Sequence, residues 1–212
     1  MNEQNETTER RLPPLEGERA YLNHKTLREE VVRVSRRMSE AGLVVETSGN
    51  VSARTPDGRF LVTPSGLPYA AMEPEDAVLL DLDGAVIEGS FEPSVERPMH
   101  AGIYRARPET GSIVHTHARY ATYGTEELAR NASEVLGSSH RSCLLRNHGT
   151  IAIGASVSEA YARTELLEEM AEIYYRARVA GEPVLLTLEQ MAEVSAKIHD
   201  YGQSKPSPAE IE

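Results

Sequence analysis

Two dipeptides restrict the fold of this chain more than anything else in it. Asp57-Gly58 and Asp83-Gly84 each stand between short apolar runs: Phe60-Leu61-Val62 follows the first, and Ala77-Val78-Leu79-Leu80 and Ala85-Val86-Ile87 flank the second. Asp-Gly is a hairpin signal, because glycine takes the positive φ that tight strand-to-strand turns need. Hairpins join antiparallel neighbours, whereas parallel strands need a long crossover. Two hairpins in the first half of the chain therefore argue against a doubly wound parallel sheet.

The remaining pattern supplies the other layers. Leu27, Val31, Val34 and Met38 recur at intervals of three and four, which predicts a helix over residues 25–41 that stops at Gly42. Residues 97–107 read as a second helix before Pro108, and Ser112 to His117 as a compact strand. A helix follows over 125–136, opened by Thr125 as a capping residue, then two strands on either side of Asn147-His148-Gly149. A long helix from Ser156 or Ser158 to about 179 and a last one over 186–202 complete the series. The expected fold is α/β: three α/β/α layers with a largely antiparallel central sheet.

Composition narrows the function classes. The chain has 212 residues, and 22 basic against 33 acidic side chains give a net charge of −11. Nucleic acid and acidic membrane surfaces need a basic face, so neither is an expected partner. The single cysteine, Cys143, precludes an intramolecular disulfide and fits a reducing, cytoplasmic setting. The polar segments 1–22 and 203–212 read as disordered tails around one domain at 23–202, and the N-terminal one lacks the apolar run of a signal peptide or membrane span.

The residues able to do chemistry cluster in a few short segments. His115-Thr116-His117 closes an apolar strand. Side chains two apart share a face, so two imidazoles starting about 6.6 Å apart can converge on one metal ion. Glu96 lies at the entry to a helix, where it is either a dipole-favoured carboxylate or a general base or ligand. His100, four residues on, shares its helical face and reads as a support for Glu96. Ser48-Gly49-Asn50 and Thr63-Pro64-Ser65-Gly66 are small-residue turns, suited either to ordinary turn duty or to cradling an oxyanion. His24, His140 and His199 read as surface or loop residues, and His148 as a hydrogen-bonding residue of its turn.

Taken in order, SGNVS (48–52), TPSGLP (63–68), EPSVE (92–96), VHTH (114–117), YGTEEL (123–128), LLRNHG (144–149) and DYG (200–202) resemble the class II aldolase/adducin family, most of all its fuculose-phosphate aldolase branch. The resemblance implies the family's fold, a homo-oligomer (a cyclic tetramer with sites between subunits), and a divalent metal: Zn²⁺, or Mn²⁺ or Fe²⁺. It implies cleavage of a ketose 1-phosphate to dihydroxyacetone phosphate and an aldehyde. Epimerisation or dehydration by the same enediolate chemistry, or an adducin-like role without catalysis, are the alternatives. By the same resemblance His115 and His117 are metal ligands and Glu96 is the catalytic acid/base. Gly49, Asn50, Ser65, Gly66 and Ser94 hold the substrate phosphate, and Tyr201 closes over the site.

Three departures from the family pattern accompany the match. The family's third metal histidine is expected on the helix after Asn-His-Gly, where this chain has Glu165. Glu165 is either a third ligand, completing a 2-His-1-carboxylate set, or a surface residue off the apolar face of Leu166, Leu167, Met170, Ile173 and Tyr174. Val95 stands where the family has a second serine. Only residues 118–122 join the His-x-His strand to YGT, so a segment of about thirty residues, one strand-plus-helix unit, is missing.

Overall fold

The computed structural model describes residues 24–117, 128–145 and 148–199. Seven strands form one sheet: β1 (Asn50–Arg54), β2 (Phe60–Val62), β3 (Val78–Leu80), β4 (Val86–Glu88), β5 (Ser112–Thr116), β6 (Ser142–Leu145) and β7 (Gly149–Gly154). Their order is β4-β3-β2-β1-β5-β7-β6, and each adjacent pair is antiparallel. Both Asp-Gly turns are where the sequence puts them, with Gly58 and Gly84 at φ 87° and 86°.

The helices are α1 (Lys25–Glu40), α2 (Arg97–Ala106), α3 (Leu128–Leu136), α4 (Val157–Ala180) and α5 (Leu188–His199). The expected cap at Thr125 lies outside the described residues. Two single-turn 3₁₀ helices at Tyr69–Ala71 and Pro74–Asp76 are not apparent in the sequence pattern. α1 ends as Gly42 predicts. At φ 68°, its N–H donates to Ser39 O, and the Leu43 N–H reaches back to Met38 O. This closing motif satisfies carbonyls that the helix leaves open.

Strand alternation sorts the core onto two faces. Val51, Ala53, Leu61, Leu79 and Val114 pack with Val31, Val34 and Met38 of α1 and with Val157, Ala160 and Tyr161 of α4. Phe60, Val62, Leu80, Ile113, Ile151 and Ile153 pack with Met99, Ile103 and Tyr104 of α2 and with Ala132 and Leu136 of α3. The expected three-layer arrangement is therefore present, with α1 and the start of α4 on one face and α2 and α3 on the other. The chain divides between Glu172 and Ile173, inside α4, into two compact units, where the sequence suggests one domain over 23–202. The sheet and both faces belong to the first unit; the end of α4 and all of α5 belong to the second. No described helix is long and apolar enough to cross a membrane. Cys143 is free and buried.

One buried cation ties α1 to the sheet edge. Arg28 is fully buried and donates to Ala77 O and to Glu88 Oε1, the latter at 2.6 Å. Removing it takes both of these contacts away from the interior. Arg28→Ala is expected to cost about 3 kcal/mol in urea unfolding. Lys25→Ala, which breaks an exposed pair with Glu29, is expected to cost less than about 0.5 kcal/mol.

Candidate metal centre

The site forms where the two central strands meet the N-terminus of α2. On β5, Ile113 and His115 face α2, whereas Val114 faces α1. Asn50 of β1 is the cross-strand partner of His115, so both side chains emerge on the α2 side. On the other flank β7 pairs Thr116 with Thr150 and His115 with Ile151. His148, one residue before β7, consequently stands opposite the end of β5. Its N–H donates to Leu145 O, closing the turn from β6. Glu96 is the N-cap residue of α2, and its own N–H donates to Ser94 Oγ at 3.2 Å.

Four side chains converge here: Glu96, His115, His117 and His148, with their ligand atoms all within 4.8 Å of one another. His115 Nε2 lies 2.9 Å from His117 Nε2 and 3.0 Å from His148 Nε2. Glu96 Oε1 lies 2.9 Å from His148 Nε2, and Oε2 lies 3.3 Å from His115 Nε2. The His115 and His148 rings stack with centroids 4.9 Å apart, and His117 stands edge-on to both.

The donor chemistry fits a divalent cation. His115 Nδ1 donates to Thr150 O at 2.7 Å, which fixes the ring with Nε2 aimed at the centre. His115 is fully buried and His148 is 8% exposed, so the centre is set into the protein at the end of β5. A single cation satisfies three imidazole nitrogens and a carboxylate oxygen at once; this set suits zinc and accommodates manganese or iron. Burial raises the pKa of Glu96, but hydrogen bonds from His115 and His117, the charge of His115 and the Asn50 amide lower it by more. The net result is a carboxyl group well below its usual range, ionised and ready to pair with a cation.

His148 corrects the sequence reading, which treats it as a turn residue only. Its signal was the strand pairing: antiparallel β5 and β7 joined at Thr116 and Thr150 place the Asn-His-Gly turn beside the His-x-His end. Glu165, the other candidate for a third ligand, lies outside this cluster. It accepts from Tyr161 Oη at 2.8 Å and pairs with Arg37 at 3.5 Å. It follows Tyr161 by one turn on α4, whose start covers the α1 face of the sheet, whereas His115 and Glu96 face α2.

The expected phosphate-holding residues lie in segments stitched side by side. Thr63 N–H donates to Val51 O, Ser94 N–H to Thr63 O, and Ser65 N–H to Glu92 O. This places the turns of Gly49, of Ser65 and Gly66, and of Ser94 next to one another beside Glu96. Tyr69 Oη holds the first turn by donating to Gly49 O at 2.6 Å. The Asn50 side chain is otherwise engaged, since Nδ2 donates to Glu96 Oε2 at 2.6 Å. Val95 is 76% exposed. Tyr201 lies outside the described residues.

Gly149 is required for the seam behind the centre. A Cβ there would meet Thr116 O at 2.1 Å and His115 Cε1 at 3.2 Å. Gly149→Ala must push β5 and β7 apart, so it is expected to cost about 3 kcal/mol of stability by thermal melting and to weaken metal binding by more than tenfold.

The sequence matches the family described as class II aldolase and adducin N-terminal domain over residues 29–123 and 118–175. The chain belongs to this family. A 5-deoxy-D-ribulose 1-phosphate aldolase of Bacillus thuringiensis serovar kurstaki is 36% identical over 207 positions, covering 83% of this chain and 97% of that protein. An L-fuculose phosphate aldolase of Haemophilus influenzae is 30% identical, covering 85% and 97%. A solved L-fuculose 1-phosphate aldolase superposes with a TM-score of 0.76 at 29% identity, covering 85% of this chain and 99% of that one.

These coverages bear on the missing segment. An alignment of 207 positions that uses 83% of 212 residues leaves about thirty positions of the relative without a counterpart. The family match breaks into two stretches that overlap at 118–123, the place where the sequence suggests the segment is absent.

Proposed function

We propose that this class II aldolase family member cleaves a ketose 1-phosphate to dihydroxyacetone phosphate and an aldehyde, with one divalent metal, Zn²⁺ in the first instance, held by His115, His117, His148 and Glu96. The observation that carries this reading is the convergence of the Glu96 carboxylate and three imidazole nitrogens, their ligand atoms all within 4.8 Å of one another. A metal bound there supplies a Lewis acid that polarises a carbonyl and offsets charge developing on neighbouring oxygens.

The chain's own residues do the rest. Retro-aldol cleavage breaks the bond between the α and β carbons of the ketone as the β-hydroxyl loses its proton and becomes the aldehyde; the resulting enediolate then takes a proton on the α carbon. Glu96 is the residue assigned to moving that proton, held by Asn50 on one oxygen and facing His148 with the other. The turns of Gly49, Ser65, Gly66 and Ser94 anchor the phosphate, so that the reacting carbons are fixed relative to Glu96. Asn50 moves from that group to the support of Glu96. Val95 removes one hydroxyl from the anchor. Tyr201 is assigned to closing the site.

A homo-oligomer, with a tetramer as the family precedent, is part of the same reading. Leu166, Met170, Ile173 and Tyr174 of α4 are each more than half exposed, as expected of a helix surface covered by another copy. The partner reading is otherwise a small sugar phosphate in the cytoplasm, with neither nucleic acid nor membrane involved.

The relatives bear names of both 5-deoxyribulose and fuculose phosphate aldolases, so the test is a substrate panel. Metal-loaded protein is incubated with L-fuculose 1-phosphate and 5-deoxyribulose 1-phosphate, and dihydroxyacetone phosphate is measured by coupled reduction. Release from one or both is expected. Epimer formation without release would move the activity to epimerisation. Metal binding with neither reaction would favour an interaction role, the outcome that the missing segment makes worth testing.

A further inference from the structure

Behind Glu96 a line of polar groups runs through the α2-facing core. Glu96, His100 and Tyr104 recur every fourth residue along one face of α2, and Asn50 and Ser52 alternate along the facing side of β1. The contacts interlock. Asn50 Nδ2 lies 2.6 Å from Glu96 Oε2, and Asn50 Oδ1 lies 2.5 Å from His100 Nε2. His100 Nδ1 lies 2.6 Å from Ser52 Oγ, which lies 2.8 Å from Tyr104 Oη. Ser52, His100 and Tyr104 are fully buried, and Asn50 is 2% exposed.

Donor and acceptor inventory gives this line one direction. A carboxylate only accepts, so Asn50 must present its NH₂ to Glu96 and its carbonyl to His100. His100 Nε2 must then carry the proton. In a neutral ring Nδ1 is left as an acceptor, so Ser52 donates to it, and the Ser52 oxygen in turn accepts from Tyr104. Burial, together with the His115 charge and against that of Glu96, lowers the His100 pKa to about 3, which keeps the ring neutral. The Tyr104 ring is fixed by Phe60, 5.3 Å away, and by the Arg54 guanidinium 4.7 Å above it.

The geometry points to His100 as a positioning residue for the reaction: through Asn50, the Tyr104–Ser52–His100 chain locks the Glu96 carboxylate in one orientation toward the metal centre. Without that chain the Asn50 amide can turn over and present its carbonyl to Glu96, a repulsive contact that displaces the carboxylate. A hydrophobic core does not need these polar groups, and a fully satisfied network of this kind specifies one arrangement. The inference rests on the aldolase reading for its kinetic consequence but not for its structural one.

The test combines two readouts. Nitrogen-15 NMR of the metal-free protein should show His100 as the neutral Nε2–H tautomer; an Nδ1–H tautomer would overturn the proposal. Co²⁺ is then added as a spectroscopic probe. His100→Leu and the milder Ser52→Ala should each alter the visible Co²⁺ spectrum, because the carboxylate is no longer held. On a substrate that the wild type cleaves, kcat should fall about 10²-fold for His100→Leu and about tenfold for Ser52→Ala, with KM within about threefold. His100→Gln, which can donate and accept along the same line, should recover part of the loss. Unchanged spectra and kcat in a folded Ser52→Ala protein would overturn the proposal, as would a loss confined to KM. If no substrate is cleaved at all, the tautomer and the Co²⁺ spectra still decide the relay, while the aldolase reading fails separately.

Discussion

His148→Ala protein is expected to bind Zn²⁺ about 10²- to 10³-fold more weakly than the wild type, while Glu165→Ala binds it unchanged. The magnitude follows from sharing a total of about 10–16 kcal/mol among four ligands, so that losing one removes roughly a quarter. His148 Nε2 stands within 3.0 Å of both His115 Nε2 and Glu96 Oε1, so no other side chain in the cluster can take its place. Glu165 stands apart from that cluster, with Tyr161 donating to its carboxylate and Arg37 3.5 Å away, so its removal is expected to leave the centre intact. Chelator competition with stripped protein measures both variants. Equal affinities for wild type and His148→Ala, or a loss in Glu165→Ala, would show that the ligand set is wrong.

Glu96→Gln carries the second large effect. The amide keeps the size of the side chain and can still accept from Asn50, but it cannot hold a negative charge or take up a proton. With metal supplied at saturation, kcat is expected to fall about 10³-fold, within the usual range for losing a general acid or base. Metal affinity should fall by a smaller factor, since three imidazoles remain. The melting temperature should change little, because Glu96 is only partly buried and its neighbours keep their hydrogen bonds. A variant that turns over at the wild-type rate would remove Glu96 from the proton path.

Much of this was legible in the residues, for reasons that differ along the chain. The two Asp-Gly turns and the apolar spacing of α1 are local signals, and local geometry obeys them. The His115–His117 pair was legible because strand alternation is local too. His148 was hidden because its role depends on the register of β5 against β7, which one strand's pattern does not reveal. Glu165 misled because matching by position along a helix says nothing about which face of the sheet that helix covers. Asn50 looked like part of an anion cradle because its neighbours Ser48 and Gly49 are small. Its actual partners, Glu96 and His100, are 46 and 50 residues away in sequence. The division of α4 between two compact units has no counterpart in its periodicity.

A metal ion held by Glu96 and the three histidines is expected to switch on aldol cleavage in this chain. Titrating chelator-stripped protein with Zn²⁺ while following dihydroxyacetone phosphate release from the better of the two ketose 1-phosphates tests it most directly. The expected result is activity that is absent at the start, rises linearly with added metal and stops at one ion per chain. Turnover by the stripped protein that metal does not change, or stoichiometric metal binding with no release, would contradict it.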